Sequence, residues 1–277
     1  MKLLNVGCGR NFHPTWVNVD FSPSSPDVIA CDLRRGLPFL DESFDAVYHS
    51  HLLEHLHPLE AKNLMKECLR VMKPNAVLRV VVPDLEDIAK NYLAALNQAE
   101  LGLTEEAEAN YDWIMLELYD QVVRNYRGGE MLKYLRQEEL KNQEFVLSRS
   151  GLSAKLILDK NLESYHKTVW QKIKAQKPGW FFQQFRNVLA AIFVNIIAGK
   201  NARLAFQEGL FRNSGEIHRW MYDRFSLRRL LEKTGFEQVI VCSADQSRIP
   251  DFNSYNLDVI DGQIRKPNSL FMEAIKF

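Results

Sequence analysis

Along the first 85 residues, short apolar runs alternate with turn-forming residues. LLNV (3–6), WVNVD (16–20), DVIACD (27–32), FDAVYHS (44–50) and AVLRVVVP (76–83) are rich in β-branched side chains and bounded by Gly, Pro, Asn or Asp, the pattern of strands. Apolar residues fill these runs rather than alternate along them, which predicts a parallel sheet covered on both faces. Between the fourth and fifth runs, apolar residues at 61, 64, 65, 68, 69 and 72 keep helical spacing after Pro58 and stop at Lys73-Pro74-Asn75. A helix over 58–72 follows, and strand, helix, strand makes a right-handed crossover.

The earlier connections are too short for crossover helices. Only Gly7 to Thr15 separates the first two runs, and Phe21 to Pro26 the next two, whereas a full crossover takes at least about ten residues. The first two helices of a doubly wound fold are therefore expected to be trimmed to turns, with the middle of the chain covering the exposed flank. Residues 86–220 read as a helical insertion, and the core comprises 1–85 and 221–277. Strands return at QVIVCSA (238–244) and SLFMEAIKF (269–277), preceded by a helix that Ser226 can cap and Gly235 can end.

Charge divides the insertion. Residues 86–150 carry thirteen acids against seven bases, and 151–220 eleven bases against four acids. Within the basic half, Phe185, Val188, Leu189, Ile192, Phe193, Ile196 and Ile197 form one helical stripe, read first as core-facing. Trp180 before it and cations at 172, 174, 177, 186, 200 and 203 also suit a peripheral membrane-surface contact through 180–200. No apolar run reaches the roughly 18–20 residues of a bilayer span, so the protein is not expected to be integral to a membrane. Thirty-five basic and thirty-five acidic residues balance over 277, so overall charge asks for no DNA. The four cysteines, at 8, 31, 68 and 242, form no CxxC pair. Together with the lack of a secretory leader, this leads us to expect a cytoplasmic protein with free thiols.

Candidate chemistry starts at Gly7-Cys8-Gly9, where a strand runs into a bare-backbone turn, and at Asp20, at the tip of the next strand. Ligands of doubly wound sheets bind at this carboxyl edge, and a carboxylate there can accept from both hydroxyls of a ribose. A dinucleotide fingerprint would place a third glycine where Phe12 stands and open a full helix for the pyrophosphate. A ligand with a ribose but no phosphate fits better.

LLNVGCG, VNVD, CDLRRGLPFLDESFDAVYHSHLLEHL and LMKECLRVMKPNAVLRVVVPD, in that order, resemble a class I S-adenosylmethionine-dependent methyltransferase of the broad type 11 kind. The likeness covers residues 1–85 and, more loosely, 222–277. It implies a Rossmann-like α/β fold with a seven-stranded, mostly parallel sheet whose last strand is antiparallel, and S-adenosyl-L-methionine as cofactor. By matched position, Gly7, Cys8 and Gly9 would underlie the cofactor, Asp20 hold its ribose, and Asp32 with Leu33 border its adenine. His49, Ser50, His51 and Leu53 would lie near the sulfonium. The chain departs from the family where Arg10, Asn11 and Phe12 replace the usual continuation, leaving Arg10 or Arg34 for the cofactor's carboxylate.

Methyl transfer needs alignment, and a base where the nucleophile is a hydroxyl. His51, His55 and His218 are the candidates, since histidine accepts a proton near neutrality. His51 and His55 stand four apart, a spacing that suits a shared zinc, but no cysteine lies nearby and the segment falls where the methyl should be. No metal is expected. Arg219 and Tyr222 in GEIHRWMYDRFS, and Tyr255 and Asn256 in the long loop 250–262, are the substrate candidates. The expected reaction moves a methyl to an oxygen or nitrogen of a small-molecule or glycan acceptor. A silent cofactor-binding scaffold and an RNA methyltransferase are the alternatives.

Overall fold

The computed structural model describes residues 1–102, 104–162 and 178–277, and the side chains of 160–162 and 178–184 are outside that description. Strands β1 (Leu3–Val6), β2 (Val17–Asp20), β3 (Val28–Ala30), β4 (Phe44–Ser50), β5 (Met72–Pro83), β6 (Glu237–Cys242) and β9 (Ser269–Ile275) form one sheet in the order β3-β2-β1-β4-β5-β9-β6. The pairs β1–β2, β1–β4, β2–β3 and β4–β5 are parallel, and β9 is antiparallel to both its neighbours. This is the seven-stranded, mostly parallel α/β sheet that the apolar runs and the family resemblance predict. A small hairpin, β7 (Val259–Ile260) with β8 (Gln263–Ile264), is too short and polar to stand out as a strand signal.

Helix α1 (Pro58–Val71) begins with Pro58 in its first turn, and the Glu60 carboxylate accepts from the His57 amide at 2.9 Å. The chain enters β5 directly at Met72. Lys73-Pro74-Asn75 does not separate helix from strand but forms a bulge at the start of β5, with Asn75 at φ +64° and a register shift against β4. Helix α7 (Arg224–Thr234) is capped by Asp223 rather than Ser226. Asp223 accepts from the amides of Phe225 and Ser226, while Ser226 Oγ accepts from the Asp223 amide. The starting point expected at Ser226 thus moves to Arg224, because a carboxylate caps two amides where a hydroxyl caps one. Gly235 ends the helix in the left-handed region, as its sequence position suggests.

The strands' alternate side chains feed two cores. One face carries Leu4, Val6, Val47, Leu78 and Met272 against Leu64, Met65 and Cys68 of α1 and Leu227 and Leu231 of α7. The other carries Leu3, Ala46, Tyr48, Val81 and Phe271 against Trp16, Ile249, Phe252 and Leu257. The flank bared by the trimmed helices is therefore covered by the segment between β6 and β9, not by the middle of the chain. Arg79, fully buried, is what holds that segment. It donates to Asp258 at 2.8 Å, to Glu273 at 2.9 Å and to the carbonyls of Ser243, Ala244 and Gln246. The Tyr48 hydroxyl adds a 2.6 Å bond to Asp258. Burial and the Asp258 charge together push the Tyr48 phenol above its ordinary range, so it remains a neutral donor.

The insertion instead roofs the carboxyl edge of the sheet. Helices α2 (Leu85–Glu100), α3 (Glu105–Val123), α4 (Gly129–Tyr134) and α5 (Gln143–Leu162) pack around Trp113, Leu135, Val146 and Ala154, with a second cluster at Ile88, Ala95 and Ile114. The trimmed connections appear as turns, and β3 leads into a single 3-10 turn, Leu33–Arg35. Helix α6 (Pro178–Arg212) corrects the core-facing reading of its stripe. Phe185, Val188, Leu189, Ile192, Phe193, Ile196 and Ile197 are all exposed, up to 83% at Ile197. The helices α2–α5 close the roof without it, and no described element packs on this face. Contrary to the expectation that no stretch is long enough to span a bilayer, the segment Phe185–Arg212 is long and apolar enough by length and composition to do so, with an 18-residue window of mean hydropathy 1.4, because scattered polar residues interrupt the run without lowering its average below that of a span. Gly199, at φ +81° and ψ −179°, breaks it. Lys172, Lys174 and Lys177 lie outside the described residues, as does the Trp180 side chain.

Arg79→Met removes the cation that joins two buried carboxylates and three loop carbonyls, and is expected to destabilise the protein by about 3–5 kcal/mol, the scale for one partner lost from a buried pair. Equilibrium urea unfolding measures this, and a loss below 1 kcal/mol would contradict the role of the network.

Candidate functional site

The parallel strands end together at one edge, where the cofactor and base candidates singled out from the sequence lie on or beside the strand ends. Gly7 and Gly9 have φ +66° and +57°, a region that side chains with a Cβ rarely enter. Gly7 and Cys8 donate to the Val19 carbonyl at 2.8 and 3.2 Å, and the Gly9 amide donates to Asp20 Oδ2 at 2.8 Å. Asp20 Oδ1 accepts from the Ser22 amide at 2.8 Å. The carboxylate thus ties two successive turns while each oxygen keeps acceptor capacity for a ligand hydroxyl. A Cβ on Gly9 would meet open space, but one on Gly7 would lie 2.8 Å from Leu52 Cδ1. The bare backbone at Gly9 is open to a ligand, and Gly7 is bare because Leu52 packs on it. Burial pushes the Cys8 thiol up to about 12, with the Asp20 charge adding to it, so Cys8 is a neutral wall.

Asp32 caps the 3-10 turn after β3 and pairs with Arg34 at 2.9 Å. The Arg34 hydrogen bond holds its carboxyl below the usual range. Of the two arginines considered for a ligand carboxylate, Arg34 is thereby engaged, while Arg10 is exposed on the glycine turn. Leu33 is half-buried against the core. Leu53 and His49 are fully buried, and neither His49 nitrogen has a hydrogen-bond partner. Desolvation lowers His49 to about 3, leaving a neutral imidazole inside β4. Ser50 accepts from Arg265 at 2.7 Å, and Arg265 also donates to the Leu257 carbonyl.

After Ser50 the chain turns sharply through His51, at φ +53°, into the one-turn helix Leu53–His55. This brings together His51, Glu54, His55 and His218. His51 Nδ1 lies 3.0 Å from Glu54 Oε1, and His51 Nε2 lies 3.0 Å from Ser269 Oγ. His55 Nδ1 lies 3.0 Å from the Ile217 carbonyl, and the His55 and His218 rings meet edge to face at 4.9 Å between centroids. The Glu54 carbonyl accepts from the amides of Arg219 and Trp220, and the His218 amide donates to Gln121. His55 and His218, 163 positions apart in the chain, are neighbours because this strap seats the 217–220 segment on the turn after β4.

Glu54 is completely buried, and neither carboxylate oxygen receives an aligned hydrogen bond from the protein. Desolvation raises its carboxyl, and desolvation likewise lowers the nearby Lys266 ammonium. Desolvation also lowers His55 to about 4 and takes His51 and His218 well below their usual value, with the Lys266 charge acting in the same direction. All three imidazoles are therefore neutral near pH 7. Glu54 and Lys266 carry no signal in the sequence taken alone, although Glu54 stands inside the histidine-rich run. Their importance comes from being desolvated together.

A cavity of about 350 Å³ opens over this cluster. Its floor is His51, Pro83, His218, Lys266 and Asn268, and its roof is α3, α4 and α5 through Trp113, Leu135, Ala154 and Ile157. Glu117 holds the wall, accepting from Trp113 at 2.6 Å, from Arg149 at 2.7 Å and from Asn268 at 3.2 Å. The residues selected as substrate contacts fall elsewhere. Arg219 donates to His57, Asn213 and the Arg212 carbonyl. Tyr222 is buried in the core beneath Glu54, with its phenol pushed up to about 12 by burial and by the Glu54 charge. Tyr255 packs edge-on against Trp16 and His13, and Asn256 ends its short helix. None of the four lines the cavity. Aromatic and polar content singled them out, but which of them faces the space depends on how the loops return.

Residues 4–80 match the family described as "Methyltransferase domain". A demethylmenaquinone methyltransferase of Corynebacterium glutamicum is 30% identical over 134 residues, which are 39% of this chain and 56% of that protein. A glutamyl-tRNA reductase of Actinobacillus succinogenes is 34% identical over 93 residues, 32% of this chain and 21% of that one. The chain therefore spans less than two thirds of either relative. Among solved structures, a SAM-dependent methyltransferase from Archaeoglobus fulgidus aligns over 99% of this chain and 86% of its own, at 12% identity and a TM-score of 0.38.

Gly7→Ala forces a Cβ into the left-handed region against Leu52 and is expected to lower stability by about 1–3 kcal/mol. Gly9→Ala has open space for its Cβ and bears mainly the conformational part of that cost. Thermal unfolding of the two variants checks the order, and an equal or reversed order would remove the packing of Leu52 on Gly7 as the difference.

Proposed function

We propose that this chain, whose residues 4–80 match the methyltransferase-domain family, moves a methyl group from S-adenosyl-L-methionine to an oxygen or nitrogen of a small-molecule or glycosidic acceptor. The observation that carries the reading is the Gly7–Gly9 turn tied to Asp20, on the same sheet edge as the roofed cavity beyond β4. Open backbone at Gly9 suits the amino-acid and ribose portions of a nucleoside, and Asp20 offers free lone pairs for ribose hydroxyls. The cofactor supplies an electrophilic methyl on a sulfonium. The protein's part is to align the acceptor with that methyl, exclude water and take a proton where the nucleophile is a hydroxyl.

The cavity suits an acceptor with both apolar and hydrogen-bonding faces, since Trp113 and Ile157 oppose Asn268 and Lys266. His51 faces the space with its neutral ring beside Glu54 and is the base we assign for a hydroxyl acceptor. His55 sits behind His218 and positions it. Isothermal titration should give binding of both S-adenosylmethionine and its demethylated product. Asp20→Ala should weaken both by about 1–3 kcal/mol, the scale for buried polar groups left unpaired. Absence of binding by the native chain would remove the proposal.

We also propose a peripheral membrane-surface contact through α6. From Pro178 to Gln207 there is no acidic residue, while Arg186, Lys200 and Arg203 are present, so the occupant we assign to the exposed stripe is an anionic lipid surface. Before the break at Gly199 the helix runs from Pro178 to Ala198, about 30 Å at 1.5 Å per residue, but Gln183, Gln184, Arg186, Asn187 and Asn195 interrupt it and its apolar residues lie along one stripe, the pattern of a helix in the interface plane. We assign it a place on a bilayer surface rather than through it. Native protein should float with vesicles containing phosphatidylglycerol, and the double variant Ile192→Asp, Ile196→Asp should not. Failure of the native protein to float would overturn the assignment.

A further inference from the structure

We propose that Glu54, His55 and His218 bind one divalent transition-metal cation beneath the acceptor cavity, and that this cation holds and acidifies an acceptor hydroxyl. The inference rests on the methyl-transfer reading for its purpose, but not for its geometry.

One ligand atom from each of the three side chains lies within 4.8 Å of the others. Two imidazoles and a carboxylate form a donor set that suits zinc and its first-row neighbours. A cation about 2.1 Å from each atom would draw them inward by side-chain rotation. The second shell is already built. His55 Nδ1 faces the Ile217 carbonyl at 3.0 Å, and because a carbonyl only accepts, the proton is on Nδ1 and the lone pair is on Nε2. That pairing of a ring N–H with a backbone carbonyl is the usual support of a metal-bound histidine. His51 Nδ1 stands against Glu54 Oε1, bracing one carboxylate oxygen and leaving Oε2 for the metal.

A further observation points to a ligand. Glu54 is completely buried, and apart from the His51 contact at Oε1 neither oxygen receives an aligned hydrogen bond, so a cation beside this carboxylate would relieve its desolvation. The site is also accessible, because His218 lines the cavity. Three protein ligands leave coordination positions open, the arrangement of a reactive metal site rather than a structural one.

Such a cation selects an oxygen acceptor. Coordination of an acceptor hydroxyl lowers its pKa, and its proton passes to His51. The oxygen then forms its bond to the methyl carbon as the carbon–sulfur bond breaks, with that electron pair going to sulfur. The products are an ether and a neutral thioether, and the metal keeps its oxidation state. An acceptor with a second oxygen adjacent to the first, such as a vicinal diol of a sugar, would occupy two open positions and be held in place.

The test uses the full chain, stripped with chelator and titrated with Co2+ and Zn2+. We expect one equivalent per chain, visible d–d absorption for the Co2+ form, and zinc affinity reduced about 100-fold or more in His218→Ala and Glu54→Gln. X-ray absorption on the zinc-loaded native chain requires no variant to fold. It should show a nitrogen and oxygen shell containing two imidazoles, whereas sulfur from the cysteines or an all-oxygen shell would overturn the site. Failure of Co2+ and Zn2+ to bind, or affinity unchanged in both variants, would also overturn it. Titration of the same stripped sample with the demethylated cofactor separates the two claims. Cofactor binding without metal binding sinks this inference alone, and metal binding without cofactor binding sinks the methyl-transfer reading alone.

Discussion

Glu54 holds two parts of the molecule in register. Its carbonyl receives the amides of Arg219 and Trp220, which fastens the returning end of the insertion to the turn after β4. Its carboxylate faces inward, surrounded by His51, His55, His218 and Lys266. Main-chain bonds of this kind are insensitive to which side chains flank them, so the position of the 217–220 segment is set by backbone geometry. The chemistry inside is left to the rings. A carboxyl group buried without an aligned hydrogen bond is costly, and a fold that keeps one has arranged its surroundings around it.

Around the other face of the sheet, Arg79 performs the corresponding task. By satisfying Asp258, Glu273 and three loop carbonyls, it fixes the long connection between β6 and β9 without a helix. That connection carries Arg265 to Ser50 and puts Lys266 beside Glu54. Electrostatics far from the cavity thus determine which cation reaches its floor. Trp16, Phe252 and Tyr255, packed edge to face, complete a cover that elsewhere in α/β folds is made of helices.

Trimming the first two helices leaves the glycine turn tied directly to β2 rather than to a helix start. The ligand-facing groups there are open backbone and one carboxylate, with no helix terminus to favour phosphate. The helical mass has moved to the carboxyl edge, where α3, α4 and α5 roof the cavity while α6 stands clear with its apolar stripe outward. The roof's Glu117–Arg149 pair, anchored to Asn268, links the insertion to the start of β9.

The strands, the crossover helix and the glycine turn with Asp20 were legible in the residues because each depends on local pattern: apolar runs, Pro and Asn punctuation, and bare backbone at a strand end. The histidines at 51, 55 and 218 were also visible as residue types suited to proton or metal chemistry. Their meeting with Glu54 and Lys266 was not, since it depends on a strap that joins positions more than 160 residues apart. Burial is a tertiary property, and it is burial that makes Glu54 exceptional while leaving Arg219, Tyr222, Tyr255 and Asn256 away from the cavity. Hydrophobic spacing likewise identified the stripe on α6 as one face of a helix. Whether that face points to the core or to the outside is settled only by what the other helices cover.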